Sequence, residues 1–477
     1  MSSLNKIKRT YGATGVFRTH EGGPAVRKDA ETELRRAVLA TFLWEDGFYE
    51  NGVSIAERIK ALVARCDEQF VMELAAEARD VYQLRHVPLY LMVCLIRTKR
   101  GNSAIGKTLA HVIQRPDEIA EFLSMYWKDG KVPLAKQVKL GLREAFRKFD
   151  AYQLAKWNQT DKAVTLRDVL FLVHPKPGRK QRVERVREEP ALRKGKYRRG
   201  KVWRHEASLF LQLIEGKLPT PDTWETRLSA GADKGTAFAE LIRENRLPYM
   251  ALLKNLRNME EARVDRGLVT DAIVSGAARS RALPYRYITA AKMAPAYEAA
   301  LDEAMQTALE TMDKLPGRTC LLVDVSGSMD WGISNGHYGQ RVQPHETTRI
   351  DVASGLAIMT RGVCSDVDVY TFSRKLVQVP ARRGMALRDA IYNSQEHRDT
   401  FLGDALRTIG KLNQKYDRTI VITDEQTRDQ IPAPMGKGYM VNVANARNGI
   451  AYGPWTSITG WSEGVVRFII ENEKKGF

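Results

Sequence analysis

The feature that most constrains this chain is an apolar stretch ending in an acid, two serines and a glycine, CLLVDVSGSM at residues 320–329. An uninterrupted apolar run followed by glycine and small polar residues is typical of a central parallel strand that runs into a loop. Open α/β sheets bind their ligands at such strand ends. The sequence therefore predicts a binding loop at the carboxyl end of a buried strand.

The side chains of this loop have the spacing of metal ligands. Asp324, Ser326 and Ser328 alternate along the chain, and Gly327 permits the turn that would bring their oxygens together. Hydroxyl and carboxylate oxygens suit a hard divalent cation that keeps several waters, Mg2+ before Ca2+. An ordinary strand end with a serine-rich turn is the alternative, and these few residues alone leave it open.

Two further stretches favour the metal site. Residues 417–427 repeat the pattern of a buried strand that ends in an acid, and residues 399–412 place a threonine immediately before an amphipathic helix. Three loops at one edge of one sheet would then supply the ligands. The predicted metal-site residues are Asp324, Ser326, Ser328, Thr400 and Asp424.

This D-x-S-x-S sequence with a distal threonine and a distal acid resembles the metal-ion-dependent adhesion site of von Willebrand factor A domains. The resemblance implies that the two serines and the threonine bind the cation directly, while the two acids act through water. It also implies a doubly wound, Rossmann-like domain over residues 318–477. A long polar insertion at 330–348 lies beside the predicted site.

Length and composition bound the class of protein. The 477 residues are enough for two or more domains. No run of about eighteen apolar residues occurs and the first residues lack the apolar segment of a signal peptide, so we expect a soluble, cytoplasmic protein without membrane contact. The four cysteines lack CxxC spacing and lie in apolar segments, which predicts core thiols rather than disulfides or zinc ligands.

The charge of the chain is strongly basic and unevenly distributed. The sequence has 75 Lys and Arg residues against 57 Asp and Glu residues, a formal charge of +18. From Arg318 onward there are 20 basic and 17 acidic residues, with 55 and 40 before it, so +15 of the charge precedes Arg318. Such an excess favours a polyanionic partner, nucleic acid before membrane; solubility alone is the alternative.

The part of the chain before Arg318 predicts helices. Residues 1–29 are polar, contain glycine turns and read as an extended arm without regular elements. From residue 30 to 317, apolar residues recur at three- and four-residue spacing through one segment after another. Because a helical segment of this length cannot enclose one compact core, we expect stacked helix pairs in a curved, HEAT-like solenoid.

One interruption of this array, residues 178–204, is dense in Lys and Arg with interleaved aromatic residues. Aromatic rings can stack on bases while cations meet phosphates, which favours RNA contact over the alternative of a solvated loop. The residues of this region that we predict to contact RNA are Lys176, Arg179, Lys180, Arg182, Tyr197, Arg198, Arg199 and Lys201.

The order of parts, a helical array followed by an A-type domain, resembles the Ro autoantigen (TROVE) family. The segments TLRDVLFLVHPKP (165–177), LPYMALLKNLRNM (247–259) and LPYRYITAAKM (283–293) look like family signatures. The resemblance implies a multidomain α plus α/β protein, in which the helical solenoid closes into a ring joined by the A domain. It also implies a monomeric ring.

The same resemblance implies RNA ligands: small Y-like RNAs on the outer basic surface and the single-stranded 3′ ends of misfolded RNAs in the ring, with a 3′ exoribonuclease as a protein partner. His174 and Lys156 match family positions associated with Y RNA binding. By its residue type alone, a histidine before a proline is more often a packing residue at a helix end.

The leading hypothesis is therefore a non-catalytic RNA-binding protein for RNA quality control or decay. No Walker loop, H-E-x-x-H motif, nucleophile pair or paired acids appear where catalysis would need them. The alternative is a protein-interaction scaffold whose metal-dependent A domain grips an acidic partner. The basic excess of the helical part favours the first hypothesis, since a protein scaffold gives no reason for it.

Overall fold

The structure is a computed structural model of the full chain. It describes residues 17–19, 21–27, 29–39, 52–98, 102, 104–176, 209–229, 231, 233–280, 282, 284–310, 312–332, 346–444, 448–460 and 463–474. The chain divides into two compact units. The first unit contains residues 1–87 and 227–477, and the second contains residues 88–226.

The described helices follow the predicted array and then alternate with strands. In chain order the helices are α1 (Ala30–Leu39), α2 (Gly52–Arg65), α3 (Glu68–Asp80), α4 (His86–Thr98), α5 (Ala104–Val112), α6 (Asp117–Tyr126), α7 (Lys136–Phe146), α8 (Ala151–Lys156), α9 (Leu166–Val173), α10 (Leu209–Glu215), α11 (Trp224–Ser229), α12 (Lys234–Arg243), α13 (Tyr249–Lys254), α14 (Leu256–Glu261), α15 (Arg266–Ala277), α16 (Pro284–Met293), α17 (Glu298–Glu310), α18 (Arg349–Val363), α19 (Gly384–Tyr392), α20 (Leu402–Lys411) and α21 (Glu463–Lys474). The strands are β1 (Phe17–Arg18), β2 (Pro24–Arg27), β3 (Leu315–Asp324), β4 (Cys364–Phe372), β5 (Leu376–Gln378), β6 (Arg418–Thr423), β7 (Lys437–Asn442), β8 (Asn448–Gly449) and β9 (Trp455–Thr459).

The unit of residues 88–226 is built from short helices that bury one apolar face each. Helices α5 and α7 can approach closely because Gly141 has no side chain. A Cβ at this position would lie 2.8 Å from the carbonyl oxygen of Gly106. Helix α10 joins this core through Phe210, whose ring lies 5.8 Å from that of Phe146 in an edge-on arrangement. Helix α10 also packs against α8 and α9.

Two separate helices, α16 and α17, precede the sheet. The apolar pattern from 284 to 315 predicts one long helix, but the structure has α16, a short 3-10 turn at Pro295–Tyr297 and then α17. Pro295 cannot donate the hydrogen bond that a continuous helix requires. The break allows α16 and α17 to pack against each other and against α18.

The α/β part of the first unit is a six-stranded sheet in the order β5-β4-β3-β6-β7-β9. All neighbouring strands are parallel except β5, which pairs antiparallel with β4. The most central strands, β3 and β6, pair Val323 with Ile422 one residue before β6 ends, so both strands end at the same edge of the sheet. Helix α18 packs on this sheet and is buried along nearly its whole length.

The arm predicted to lack regular elements contains two short strands. Strands β1 and β2 form an antiparallel pair. Strand β2 also pairs antiparallel with β8, with Val26 opposite Gly449. The partner of β2 lies more than four hundred residues away along the chain, so no local pattern could predict the pairing. The amino-terminal arm is thereby tied to the α/β part of the same unit.

The described elements confirm the predicted fold class, a multidomain α plus α/β protein with a doubly wound sheet after a helical array. All four cysteines are free and buried, as expected of core thiols. Within the described residues, no helix combines the length and the apolar character needed to cross a membrane.

Candidate metal centre and nucleic-acid interface

The predicted metal-site loops meet at the carboxyl edge of β3 and β6. Asp324 ends β3, and Asp424 follows the last residue of β6, so the two buried acids emerge side by side. Ser328 donates from Oγ to Asp424 Oδ2 at 2.6 Å, and its Oγ lies 3.3 Å from Ser326 Oγ. The structure thus brings four of the five predicted residues into one hydrogen-bonded cluster.

The fifth residue, Thr400, is buried in a loop that contacts both the loop after β3 and the loop after β6. Its carbonyl oxygen accepts from Arg428 N at 3.0 Å and from Thr427 Oγ1 at 3.1 Å, which ties it to the loop after β6. Gly327 N donates to the Arg398 carbonyl at 2.9 Å, which ties the same segment to the loop after β3. Thr400 immediately precedes Phe401 and α20, as its sequence position predicted.

The electrostatics of the cluster suit a divalent cation. Burial, and then the charge of the neighbouring Asp424, raise the pKa of the Asp324 carboxyl to about 7. Ser326 N donates to its Oδ1 at 2.9 Å and Thr423 Oγ1 to its Oδ2 at 2.6 Å, so both oxygens are fixed in direction. Two adjacent buried carboxylates repel each other, and a cation between hydroxyl and carboxylate oxygens would offset that repulsion.

The donor set is therefore of the oxygen type. Among the described residues, no group of three His, Cys, Asp or Glu side chains forms a metal site of another kind. Hydroxyl groups would have to complete the coordination here, as the adhesion-site pattern implies. The direct and water-mediated roles assigned to the five residues stay a prediction.

One contact beside the site was missed from the sequence, a pair formed by Asp330 and His397. His397 Nδ1 lies 2.7 Å from Asp330 Oδ2, and its Nε2 lies 2.9 Å from the Tyr392 carbonyl oxygen. Both ring nitrogens face acceptors, so only the imidazolium can donate to both. The hydrogen bond to Asp330 raises the pKa of His397 above its ordinary value. A lone histidine in QEHRDT carries no sequence signal for such a pair.

The Asp330–His397 pair should make stability depend on pH. Since the folded pKa of His397 is raised, its contribution to the free energy of unfolding is fully present below the unfolded pKa of about 6.5 and is lost as the pH rises through the folded value. We expect His397→Ala to destabilise the protein more near pH 6 than near pH 9, by thermal melting. Asp330→Asn should show the same dependence, and a pH-independent loss in both variants would contradict the assignment.

The predicted RNA-binding residues fall into three groups. Lys156 ends α8, with its Nζ 3.7 Å from Glu225 Oε1 and 5.4 Å from the centroid of the Trp157 ring. His174 ends α9 in the left-handed conformation, φ 50°, and is exposed with Lys176 rather than packed. The remaining predicted residues lie outside the described residues: Arg179, Lys180, Arg182, Tyr197, Arg198, Arg199 and Lys201.

The structure adds two apolar residues to this region that sequence reasoning did not single out. Phe171 and Leu172 on α9 are 50% and 39% exposed. The guanidinium carbon of Arg167, one turn earlier, lies 5.8 Å from the centroid of the Phe171 ring. We call the face formed by Arg167, Phe171, Leu172, His174 and Lys176 the α9 surface.

Comparison with known proteins gives a family match over part of the chain. The TROVE domain family matches residues 215–330. Telomerase protein component 1 of Rattus norvegicus is 25% identical over 301 residues, 48% of this chain and 11% of that protein, and its Mus musculus counterpart is 24% identical over 315 residues, 50% of this chain and 11% of that protein. This chain thus corresponds to only about a tenth of the length of those relatives.

A solved structure supports the fold. The crystal structure of the Deinococcus radiodurans RO (RSR) protein has a TM-score of 0.58 and 18% identity, and the match covers 93% of this chain and 98% of that one. The helical array, followed by a doubly wound sheet whose strand ends carry oxygen ligands, defines a multidomain α plus α/β protein. Residues 215–330 match the TROVE domain family, so the resemblance to that family that the signature segments indicated is confirmed.

Proposed function

We propose that this protein is a non-catalytic RNA-binding protein of the Ro type. TROVE proteins bind RNA, and the part of this chain before Arg318 carries +15 of its +18 formal charge. Nucleic acid binding of this kind depends on cations that meet phosphates, with sequence-tolerant stacking of unpaired bases on aromatic rings. Both kinds of group occur on the helical part of the chain.

The observation that carries the proposal is the exposed ring of Phe171 beneath the Arg167 guanidinium. An exposed ring beside a cation offers a stacking platform for a base, and the neighbouring Leu172 is exposed as well. His174 and Lys176 follow on the same surface with exposed side chains. The charge and the ring together favour RNA over a purely apolar partner.

The segment that continues from the α9 surface extends this argument. Residues 178–204 lie outside the described residues, and their sequence holds 12 Lys and Arg against 3 Glu. Cations at such density contact phosphates without reading bases, which adds affinity that weakens with salt. We infer that this segment contributes phosphate contacts.

Phe171→Ala should weaken binding of a fluorescently labelled single-stranded RNA by about 5- to 150-fold, because one base stack contributes about 1–3 kcal/mol. Phe171→Trp should retain the affinity, since it keeps a stacking face. Leu140→Ala on α7, another exposed apolar side chain at 39%, is the matched control and should change affinity less than twofold.

Anisotropy titration of wild type and the three variants decides the matter. Wild type that does not bind RNA would overturn the proposed function. Binding that is equally strong in Phe171→Ala would leave RNA binding intact and remove the α9 surface from it. Equal losses in Phe171→Ala and Leu140→Ala would point to a general loss of structure.

The RNA class follows from the family resemblance. We propose Y-like small RNAs at the outer basic surface and single-stranded 3′ ends of misfolded non-coding RNAs within a monomeric helical ring, with a 3′ exoribonuclease as the partner that receives them. Lys156 and His174 are the described residues that match family positions for Y RNA. We therefore propose a role in RNA quality control or decay.

The metal centre supports a second, compatible function, the capture of an acidic protein partner. We propose that Ser326, Ser328 and Thr400 hold Mg2+ directly, with Asp324 and Asp424 acting through water. When bound, a cation held largely by neutral hydroxyls retains positive charge and attracts an outside carboxylate. The buried carboxylates and the 2.6 Å bond from Ser328 to Asp424 favour this reading of the site.

A further inference from the structure

The amino-terminal segment contacts the loops of the metal centre directly. Thr19, which follows β1, is buried and donates from Oγ1 to the Thr427 carbonyl oxygen at 2.6 Å. The same Oγ1 accepts from Gly23 N at 2.9 Å, so one hydroxyl joins the turn between β1 and β2 to the loop after β6. A Cβ at Gly23 would collide with the Thr427 carbonyl, so only glycine permits this approach.

A surface ion-pair chain continues from the same turn to the threonine loop. Glu21 Oε2 lies 2.7 Å from Arg428 Nε, and Arg428 Nη2 lies 2.7 Å from Asp399 Oδ1. Asp399 immediately precedes Thr400, and Arg428 N donates to the Thr400 carbonyl. Glu21 thus reaches one predicted metal ligand through one arginine.

A buried ion pair braces the loop from its other side. Arg36 on α1 pairs with Glu425, and both side chains are 0% exposed. Glu425, adjacent to Asp424, has φ 60°, a left-handed conformation that is strained for a residue with a side chain. Its Oε2 also accepts from Ile450 N at 2.7 Å, so two fixed partners hold the strained backbone in place.

We propose that Thr19, Glu21 and Arg36 are positioning residues for the metal centre, so that docking of the amino-terminal segment and uptake of a divalent cation are coupled. The proposal rests on the metal centre proposed above. All three side chains bond to the loop of residues 425–428. This loop follows Asp424 in the sequence and is hydrogen-bonded to Thr400, and both of these residues belong to the proposed metal site. A cation that requires this loop geometry must favour the docked segment, and by reciprocity the docked segment must favour the cation.

The three contacts should differ in how strongly they affect Mg2+ affinity. Thr19 is buried and bonds a backbone carbonyl, so Thr19→Val should lower Mg2+ affinity by about 3- to 10-fold. Thr19→Ser keeps the hydroxyl and should restore it. The Glu21–Arg428 pair is partly exposed, and Glu21→Gln should therefore cost twofold or less. Arg36 is not suited to this test, because its loss would destabilise the whole unit.

The experiment is calorimetric titration of Mg2+ into the full chain, with Mn2+ as a paramagnetic check. Thr108→Val is the matched control, since Thr108 Oγ1 also donates to a backbone carbonyl, at 3.1 Å, in the unit without metal residues. A second readout is hydrogen exchange of residues 17–27 with and without Mg2+. Saturating Mg2+ should raise the protection of these amides in wild type, because cation uptake and docking favour each other.

The possible outcomes distinguish the proposed coupling from the proposed metal centre on which it rests. Wild type that takes up no divalent cation overturns the metal centre and the coupling together. Uptake that is equal in wild type and Thr19→Val, with unchanged exchange of residues 17–27, overturns the coupling alone. A lowered melting temperature with unchanged Mg2+ affinity would show that Thr19 has only a structural role, which also overturns the coupling.

Discussion

Arg36→Met is expected to lower the free energy of unfolding of the unit of residues 1–87 and 227–477 by about 3–5 kcal/mol. The substitution keeps most of the side-chain volume and leaves the Glu425 carboxylate buried with its charge uncompensated. Arg36 Nη2 also donates to Ser457 Oγ at 3.1 Å, so the change removes a second bond. Glu425 then loses one of the two partners that hold its left-handed backbone.

Native-state hydrogen exchange of the β3 and β6 amides measures this loss, because those strands are the buried centre of the unit. Arg257→Met is the matched control. Arg257 and Glu261 form an exposed pair at 3.4 Å on α14, and its loss should cost no more than about 0.5 kcal/mol. Combining Arg36→Met with Glu425→Gln should recover part of the loss. Equal losses in the Arg36 and Arg257 variants would contradict the account of the buried pair.

Asp324→Ala is expected to abolish Mg2+ uptake while RNA affinity stays within about twofold. Asp324 aligns the loop through Ser326 N and faces Asp424, so its removal takes away both the charge and the loop geometry that a cation needs. The charge excess and the exposed aromatic ring belong to the helical part, which supports independent RNA binding. Asp324→Asn, which keeps the shape, should lose Mg2+ as well.

Calorimetric titration of Mg2+ followed by RNA titration with and without chelator tests this separation. If a chelator and Asp324→Ala both weaken RNA binding substantially and by similar factors, an RNA phosphate is the missing ligand and the proposal of an acidic protein partner is wrong. If neither treatment changes RNA affinity while Mg2+ uptake is lost, the site serves a protein partner. Undiminished Mg2+ binding by Asp324→Ala would remove Asp324 from the site.

The metal edge was predictable because its signals are local. Buried parallel strands appear as continuous apolar runs, and the acids at residues 324 and 424 end two such runs. Parallel neighbours end at one edge, so adjacency in the sheet follows once both strands are identified. The helices before residue 318 were likewise visible from their periodicity.

The contacts that brace the metal edge were not predictable. Arg36 lies in AETELRRAVL, where a charged residue normally indicates a solvated helix face, and its partner Glu425 is nearly four hundred residues away. The helix LRDVLFLV is apolar on most faces, so its sequence cannot show that Phe171 and Leu172 stay exposed. Tertiary pairing decides both cases, and one sequence carries no record of it.

The salt dependence of RNA binding tests the central claim most directly. Anisotropy titrations of a small RNA with a free single-stranded 3′ end, between about 50 and 200 mM salt, should give a log–log line with a slope of about −0.7 for each phosphate contact. A basic helical surface predicts several contacts and a slope steeper than about −2, with weaker binding of the blunt-ended duplex form. Absent binding, or an affinity that does not change with salt, would contradict the claim that this chain is an RNA-binding protein.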